Sequence, residues 1–480
     1  MLPPTRLAAI TIAAVAAVSH AAKYPAYCAK DMDANKVQPL KDPKNLELIQ
    51  VQLVVRHGAR TPWSANRCWD GYNEEWNCSI RQLQRPELKV ETANKTLVNS
   101  REFEKVYVRG DNVFPGTCNL GQMIDEGYYQ QALNGQHLRD AYVGPHGLFQ
   151  TTDNLVFTNA TDIYFESSDI PRTINSGMII IDTLFPRATN ESSKPAVPWH
   201  TGDYSHNFVT PNPVLCPKLN WIDQAWRQSS DYQGWLHSAE NHQLELDLQK
   251  VVRNYDHATL YDCFMTAKCT DRALPAGIDD DLFARTTSRE ESFQIQQYLY
   301  NHSAYARAGM SPLIQRIRTR AILAVAHRAP RFVMTAAHDT TIMPLLGALG
   351  GSAWLTEWVP YASHMLFEVY TNKTDYFVRI LYQGKPLAIP GCTTEVCPFK
   401  AFLDLTEFAN DASICRTPAK PFQAPVAVKV GEASDATSST TTWTWLYVIG
   451  GVVAGTALGY FAASNVHANR QGYSSLPERA

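Results

Sequence analysis

Three stretches of the chain repeat one pattern: a β-rich apolar run, a short polar loop, then apolar positions at helical spacing. The first run, Leu48 to Val55, leads into Arg56-His57-Gly58-Ala59-Arg60-Thr61. The second, Ile163 to Ser167, leads through Asp169-Ile170-Pro171-Arg172-Thr173 into Ile174 to Leu184. The third, Phe332 to Ala336, leads through Ala337-His338-Asp339-Thr340-Thr341 into Ile342 to Leu349. Strand, loop and helix in repetition predict an α/β fold, a central and mostly parallel sheet flanked by helices. Ligands of such sheets sit beyond the carboxyl ends of the strands, so the three loops are expected to converge on one pocket.

Between the second and third repeats, Leu219 to Arg253 and Ser292 to His327 carry helix-compatible spacing, which predicts a helical cap over roughly residues 190–328. Met365 to Tyr370 and Tyr376 to Tyr382 alternate apolar and polar positions around Asn372-Lys373-Thr374, the pattern of a hairpin. From Ala424 to Thr442 the chain turns to Ala, Ser and Thr without an aromatic residue, the composition of a flexible stalk.

The two ends add a topology. Arg6, the apolar run Leu7 to Val18 and the small residues Ser19 and Ala21 read as a secretory signal over residues 1–21. Trp443 to Ala463 is 21 residues without a charge and has aromatic residues at both ends, which predicts a single transmembrane helix. Residues 22–423 would then be lumenal and 464–480 a cytoplasmic tail, the arrangement of a type I membrane protein. All ten cysteines and all six glycosylation acceptors (Asn77, Asn94, Asn159, Asn190, Asn301 and Asn372) precede the span, as an oxidising lumen requires. Gly451, Gly455 and Gly459 recur every fourth residue, a small-xxx-small face suited to a homodimer. Tyr473-Ser474-Ser475-Leu476 has the form of a sorting signal for an adaptor on the tail. A formal charge of −3 over 480 residues shows no basic bias and argues against nucleic acid as a partner.

The loops hold the chemistry. His57 lies between Arg56 and Arg60; flanking cations hold an imidazole neutral, and two guanidinium forks suit a dianionic phosphate. The pair His338-Asp339 alone is open to three readings. A metal-dependent hydrolase needs further ligands, and no HxxEH, CxxC or paired-histidine helix supplies them. A buried structural pair is the second reading. With the first loop beside it, the third is the acid half of a phosphomonoesterase, in which Asp339 protonates the leaving alkoxide and His338 donates to phosphoryl oxygens. Arg172 would be a third cation on those oxygens, with neither metal nor cofactor needed.

Arg56-His57-Gly58-Ala59-Arg60-Thr61-Pro62 with Ala337-His338-Asp339-Thr340-Thr341 resembles the histidine acid phosphatase family in its two-motif branch. Gly121-Gln122, Gly127, Gln130, Gly135, Leu138-Arg139 and Tyr142 track that family after the first loop, and Ser167 to Ser176 tracks its middle arginine segment. Pro360-Tyr361-Ala362-Ser363-His364, Phe367-Glu368-Val369-Tyr370 and Ile389-Pro390-Gly391-Cys392 with Cys397-Pro398 are similar to its lysosomal and prostatic members. The resemblance implies a phosphoglycerate-mutase-like sheet, His57 as the residue that is phosphorylated, Asp339 as proton donor, and Arg56, Arg60, Arg172 and His338 as the phosphate pocket. It also implies a disulfide between Cys392 and Cys397. The substrates expected are small phosphomonoesters, hydrolysed at acid pH in lysosome or endosome, with the plasma membrane as second choice. Two alternatives stand beside this: a specialised phosphatase for inositol phosphates or lysophosphatidic acid, and an inactive membrane-bound binding protein on the same scaffold. The chain departs from the lysosomal and prostatic pattern at His364, where those members have cysteine, and in the region Trp69 to Thr117.

Overall fold

The computed structural model describes residues 23–417 apart from 44, 65–67, 80–82, 85–89, 93–94, 98–102, 105–112, 146, 152–161 and 187–196. The expected signal segment, Asn94, Asn159, Asn190, the stalk, the residues 443–463, the glycine face and the tail signal at Tyr473 and Leu476 lie outside the described residues. Asn77 and Asn301 are exposed, and Asn372 is half-buried in a hairpin turn.

Strand β1 (Glu47–Arg56) is the axis of the molecule. Two short pairs follow it, β2 (Leu83–Gln84) with β5 (Phe103–Glu104) and β3 (Val90–Thr92) with β4 (Lys95–Leu97). Helix α1 (Asp125–Tyr142), β6 (Ile163–Ser167) and α2 (Pro171–Leu184) come next. Then come α3 (Lys218–Arg227), α4 (Ser230–Leu236), α5 (Ala239–Val251), α6 (His257–Cys269) and the long α7 (Asp280–Val325), which leaves helical geometry at Tyr300–Ser303. The chain closes with β7 (Phe332–Ala337), α8 (Asp339–Gly350), β8 (His364–Thr371), β9 (Tyr376–Tyr382), β10 (Lys385–Pro386), β11 (Cys397–Pro398) and α9 (Phe399–Thr406).

These strands form one sheet in the order β10-β9-β8-β1-β7-β6, with β11 also on β9. Only β1 with β7 and β7 with β6 run parallel; every other pair in this sheet is antiparallel. The expectation of a mostly parallel sheet is therefore corrected to a mixed one. The cause lies after α8: residues 351–363 return to the edge where β1 ends, so β8 must start there, with His364 opposite Val55, and run backwards. The four-residue turn 372–375 then permits only an antiparallel β9. Among the described residues no helix is long and apolar enough to cross a membrane, against the expected C-terminal span, whose residues 443–463 lie outside them.

Alternation along β1 divides the core between two faces. Val51, Leu53 and Val55 meet Leu138, Ile180, Leu184 and Leu366 on one side, and Val54 meets Ile314, Ile317, Met365 and Phe367 on the other. Each such side chain, fully buried, stabilises by about 1.5–3 kcal/mol. The polar residues on the second face are buried, and their side-chain amide nitrogens are bonded. Gln52 Nε2 donates to the Ile317 carbonyl and to Gln50 Oε1, both at 2.9 Å, while Gln50 Nε2 donates to the Pro330 carbonyl at 2.8 Å.

All ten cysteines pair: Cys28–Cys269, Cys68–Cys263, Cys78–Cys118, Cys216–Cys415 and the expected Cys392–Cys397. Two of the five end on α6, fastening it to the segment before β1 and to the chain after the first loop.

Candidate active site

The loop after β1 is held by its backbone. His57 N–H donates to the Ala337 carbonyl at 3.0 Å, and the His57 carbonyl accepts Ala362 N–H at 3.1 Å, so β7 and the approach to β8 clamp it from both sides. Side chains of α1 and α2 satisfy the groups around it: Gln131 donates to the Arg56 carbonyl, Ala59 N–H to Gln130, and Gly58 N–H to Ser176 Oγ. A Cβ on Gly58 would stand 2.4 Å from the Gly127 carbonyl oxygen. Bare backbone at position 58 is what lets α1 approach.

His57 is 1% exposed. Its Nδ1 lies 2.9 Å from the Gly58 carbonyl, an acceptor, so Nδ1 carries the proton and Nε2 keeps a free lone pair. Burial first, then the charges of Arg172, Arg60, Arg56 and His338, push the imidazole well below its ordinary pKa. It is a neutral base in a cationic pocket.

The cations differ in how they are held. Arg56 is fully buried and donates to Asp339 Oδ2 at 2.8 Å, to Tyr27 Oη at 2.8 Å and to the Val359 carbonyl at 2.6 Å. Its guanidinium lies over the Tyr27 and Tyr361 rings. Arg60 donates to Asp262 Oδ1 of α6 at 2.8 Å. Arg172, in the first turn of α2, has no carboxylate within ion-pair distance among the described residues, and burial with the repulsion of Arg60 brings it down to about 10. The Nη1 atom of Arg172 and the Cβ of Trp63 both border Gly121.

The third loop completes the set. His338 caps α8, and its Nε2 lies 2.8 Å from Ser168 Oγ; its ring stands 5.5 Å from that of His57. Burial and then Arg172 lower its pKa, against the pull of Asp339. Asp339 begins α8 and accepts Arg56 and the Trp358 indole N–H on Oδ2, and Thr340 N–H on Oδ1. Burial raises its carboxyl, but Arg56 foremost, with Arg60, the Trp358 bond and His338, outweighs that and holds it below the usual carboxylate range.

All six residues expected at the site are thus brought together: His57, Arg56, Arg60, Arg172, His338 and Asp339. Sequence reasoning missed Asp262, Trp358, Ser168, Tyr27 and Tyr361. Ser168 and Tyr361 lie in segments that carry the family resemblance but were given no role, and Asp262 stands beside Cys263, which pairs with Cys68 after the first loop.

Residues 47–383 match the histidine phosphatase superfamily (branch 2). The chain belongs to that family. Among the relatives of this histidine phosphatase, Counting factor 60 of Dictyostelium discoideum is 29% identical over 388 residues, covering 79% of this chain and 89% of that protein. Human lysosomal acid phosphatase is 28% identical over 309 residues, 60% of this chain and 70% of its own length. Bovine lysophosphatidic acid phosphatase type 6 is 25% identical over 383 residues, 76% of this chain and 83% of its own. The histidine phosphatase is accordingly a phosphoric monoester hydrolase.

Proposed function

We propose that the protein is an acid phosphatase that transfers the phosphoryl group of a monoester to His57 Nε2 and then to water. The observation that carries this is the Nδ1 hydrogen bond to Gly58, which leaves Nε2 as the lone pair among three arginines. Arg56, Arg60, Arg172 and His338 hold the phosphoryl oxygens, and Asp339 protonates the leaving alkoxide. Because the arginines depress the Asp339 carboxyl, the acid form is available only at low pH, or when an ester arrives as its monoanion and brings the proton. Both place the optimum below neutrality. Five disulfides and the likeness to human lysosomal acid phosphatase support an acidic, oxidising compartment of the endosomal or lysosomal kind.

Release of phosphate from p-nitrophenyl phosphate tests the reading. His57→Ala is expected to lose at least about a thousandfold in kcat, with the circular dichroism of wild type; retention of wild-type turnover would end the proposal. A pH profile peaking above neutrality would remove Asp339 as donor.

A second reading, an ester with an apolar body such as a lysophosphatidate, is supported by one feature of the rim. The Trp63 side chain, at the same glycine as Arg172, is 50% exposed. Relative kcat/KM for lysophosphatidate, phytate and p-nitrophenyl phosphate separates the readings.

A further inference from the structure

We propose that Trp358 is a positioning residue for Asp339: its indole N–H and Arg56 together occupy Oδ2, which leaves Oδ1 as the oxygen that serves the leaving group. The proposal rests on the phosphatase reading above and deepens it.

Asp339 Oδ2 accepts two donors, Arg56 Nη2 at 2.8 Å and Trp358 Nε1 at 3.1 Å. Oδ1 accepts only Thr340 N–H among the described residues, at 2.8 Å, and so retains capacity for a proton. Trp358 is not free to turn away. Its ring stacks on Tyr261 of α6 with centroids 4.2 Å apart and planes at 27°, and the next carbonyl, that of Val359, is taken by Arg56. The residue after Tyr261 is Asp262, the partner of Arg60. Consecutive residues of one disulfide-fastened helix therefore orient the phosphate clamp and, through Trp358, the acid. In the chemical step the P–O bond to the leaving group breaks as the bond from His57 Nε2 to phosphorus forms. The Oδ1 proton passes to the departing oxygen, and the carboxylate left behind is already held at Oδ2 by an N–H and a guanidinium.

The conservative variant is Trp358→Phe, which keeps an aromatic ring for Tyr261 and removes the indole N–H together with part of the ring. An alkyl phosphate such as β-glycerophosphate needs its leaving oxygen protonated far more than p-nitrophenyl phosphate does. Trp358→Phe is expected to lose about tenfold in kcat on β-glycerophosphate and about twofold on p-nitrophenyl phosphate, with KM unchanged on both. Equal losses on the two esters, or none on either, overturn the proposal.

A second measurement needs no turnover. In protein carrying 15N-tryptophan, the indole resonance missing from Trp358→Phe should move on Asp339→Asn; if it stays in place, the hydrogen bond is absent and the proposal fails. A wild type that releases no phosphate while that resonance still responds overturns the phosphatase reading and leaves the Trp358–Asp339 pair standing.

Discussion

Two buried ionic clusters share this sheet, and they are finished differently. At the β8–β9 pair, Glu368 receives Arg379 on both carboxylate oxygens and adds Tyr142 on one and Tyr370 on the other; Arg379 spends its remaining nitrogen on Glu395 and the Gln38 carbonyl. Every donor and acceptor is matched. At the ends of β1 and β7, three arginines face two carboxylates, Asp339 and Asp262, and the Nε atoms of Arg56, Arg60 and Arg172 have no partner among the described residues. The first cluster is complete without a ligand; the second carries a surplus of positive charge and of donors that only an added anion can use. Closure marks a structural ion pair here, and incompleteness marks the site.

Removing one member should expose that contrast. Arg379→Ala strands Glu368 in the core and is expected to cost about 3–5 kcal/mol in urea unfolding while leaving activity per folded molecule unchanged. A loss below 1 kcal/mol would show that the closed cluster holds nothing together. Arg172→Ala should act in the opposite sense. It takes away a buried cation without an ionic partner, so stability holds or rises, while competitive inhibition by inorganic phosphate weakens by about 1.5–3 kcal/mol. Lost stability with undiminished phosphate affinity would make Arg172 structural after all.

The smallest effect concerns His364, which lies on the face of β8 that also carries Glu368 and has, among the described residues, no partner for either ring nitrogen. Burial, with a contribution from His137, pushes it down from 6.5 to about 3. A histidine depressed in the folded state takes up protons more readily once unfolded, so stability falls as pH drops from about 6.5 toward 3. At pH 5 the cost is about 1–2 kcal/mol. His364→Leu should therefore raise the midpoint of thermal unfolding at pH 5 and do so less at pH 8; an equal gain at both would deny the titration.

The candidate loops after β6 and β7 were legible because strand, polar loop and helix follow each other there directly, a local pattern that hydrophobic period reveals, whereas after β1 the expected helix is absent and α1 begins only at Asp125. Arg172 could be placed beside His57 for the same reason. Asp262 and Trp358 could not, since each reaches the site from a segment whose own pattern says only helix or loop, and the Arg60–Asp262 pair spans 202 residues. The hairpin of β8 and β9 was readable, but not its seat beside β1: that depends on the path of residues 351–363, which runs back to the edge where β1 ends and carries Trp358 and Tyr361 with it. Among the disulfides, Cys392–Cys397 was expected from the family resemblance, while the pairs that fasten α6 depend on where a distant helix docks.

The hydrogen bond from His57 Nδ1 to the Gly58 carbonyl has a consequence for anyone who sets out to trap the proposed intermediate. Under that proposal it dictates the isomer: phosphorus attached at the ring nitrogen remote from the side-chain stem, a phosphoramidate that survives alkali and is lost in acid. Quenching turnover in acid, the habitual choice for an enzyme that works at low pH, would erase the adduct, whereas quenching in base followed by 31P spectroscopy would preserve it and report which nitrogen was used.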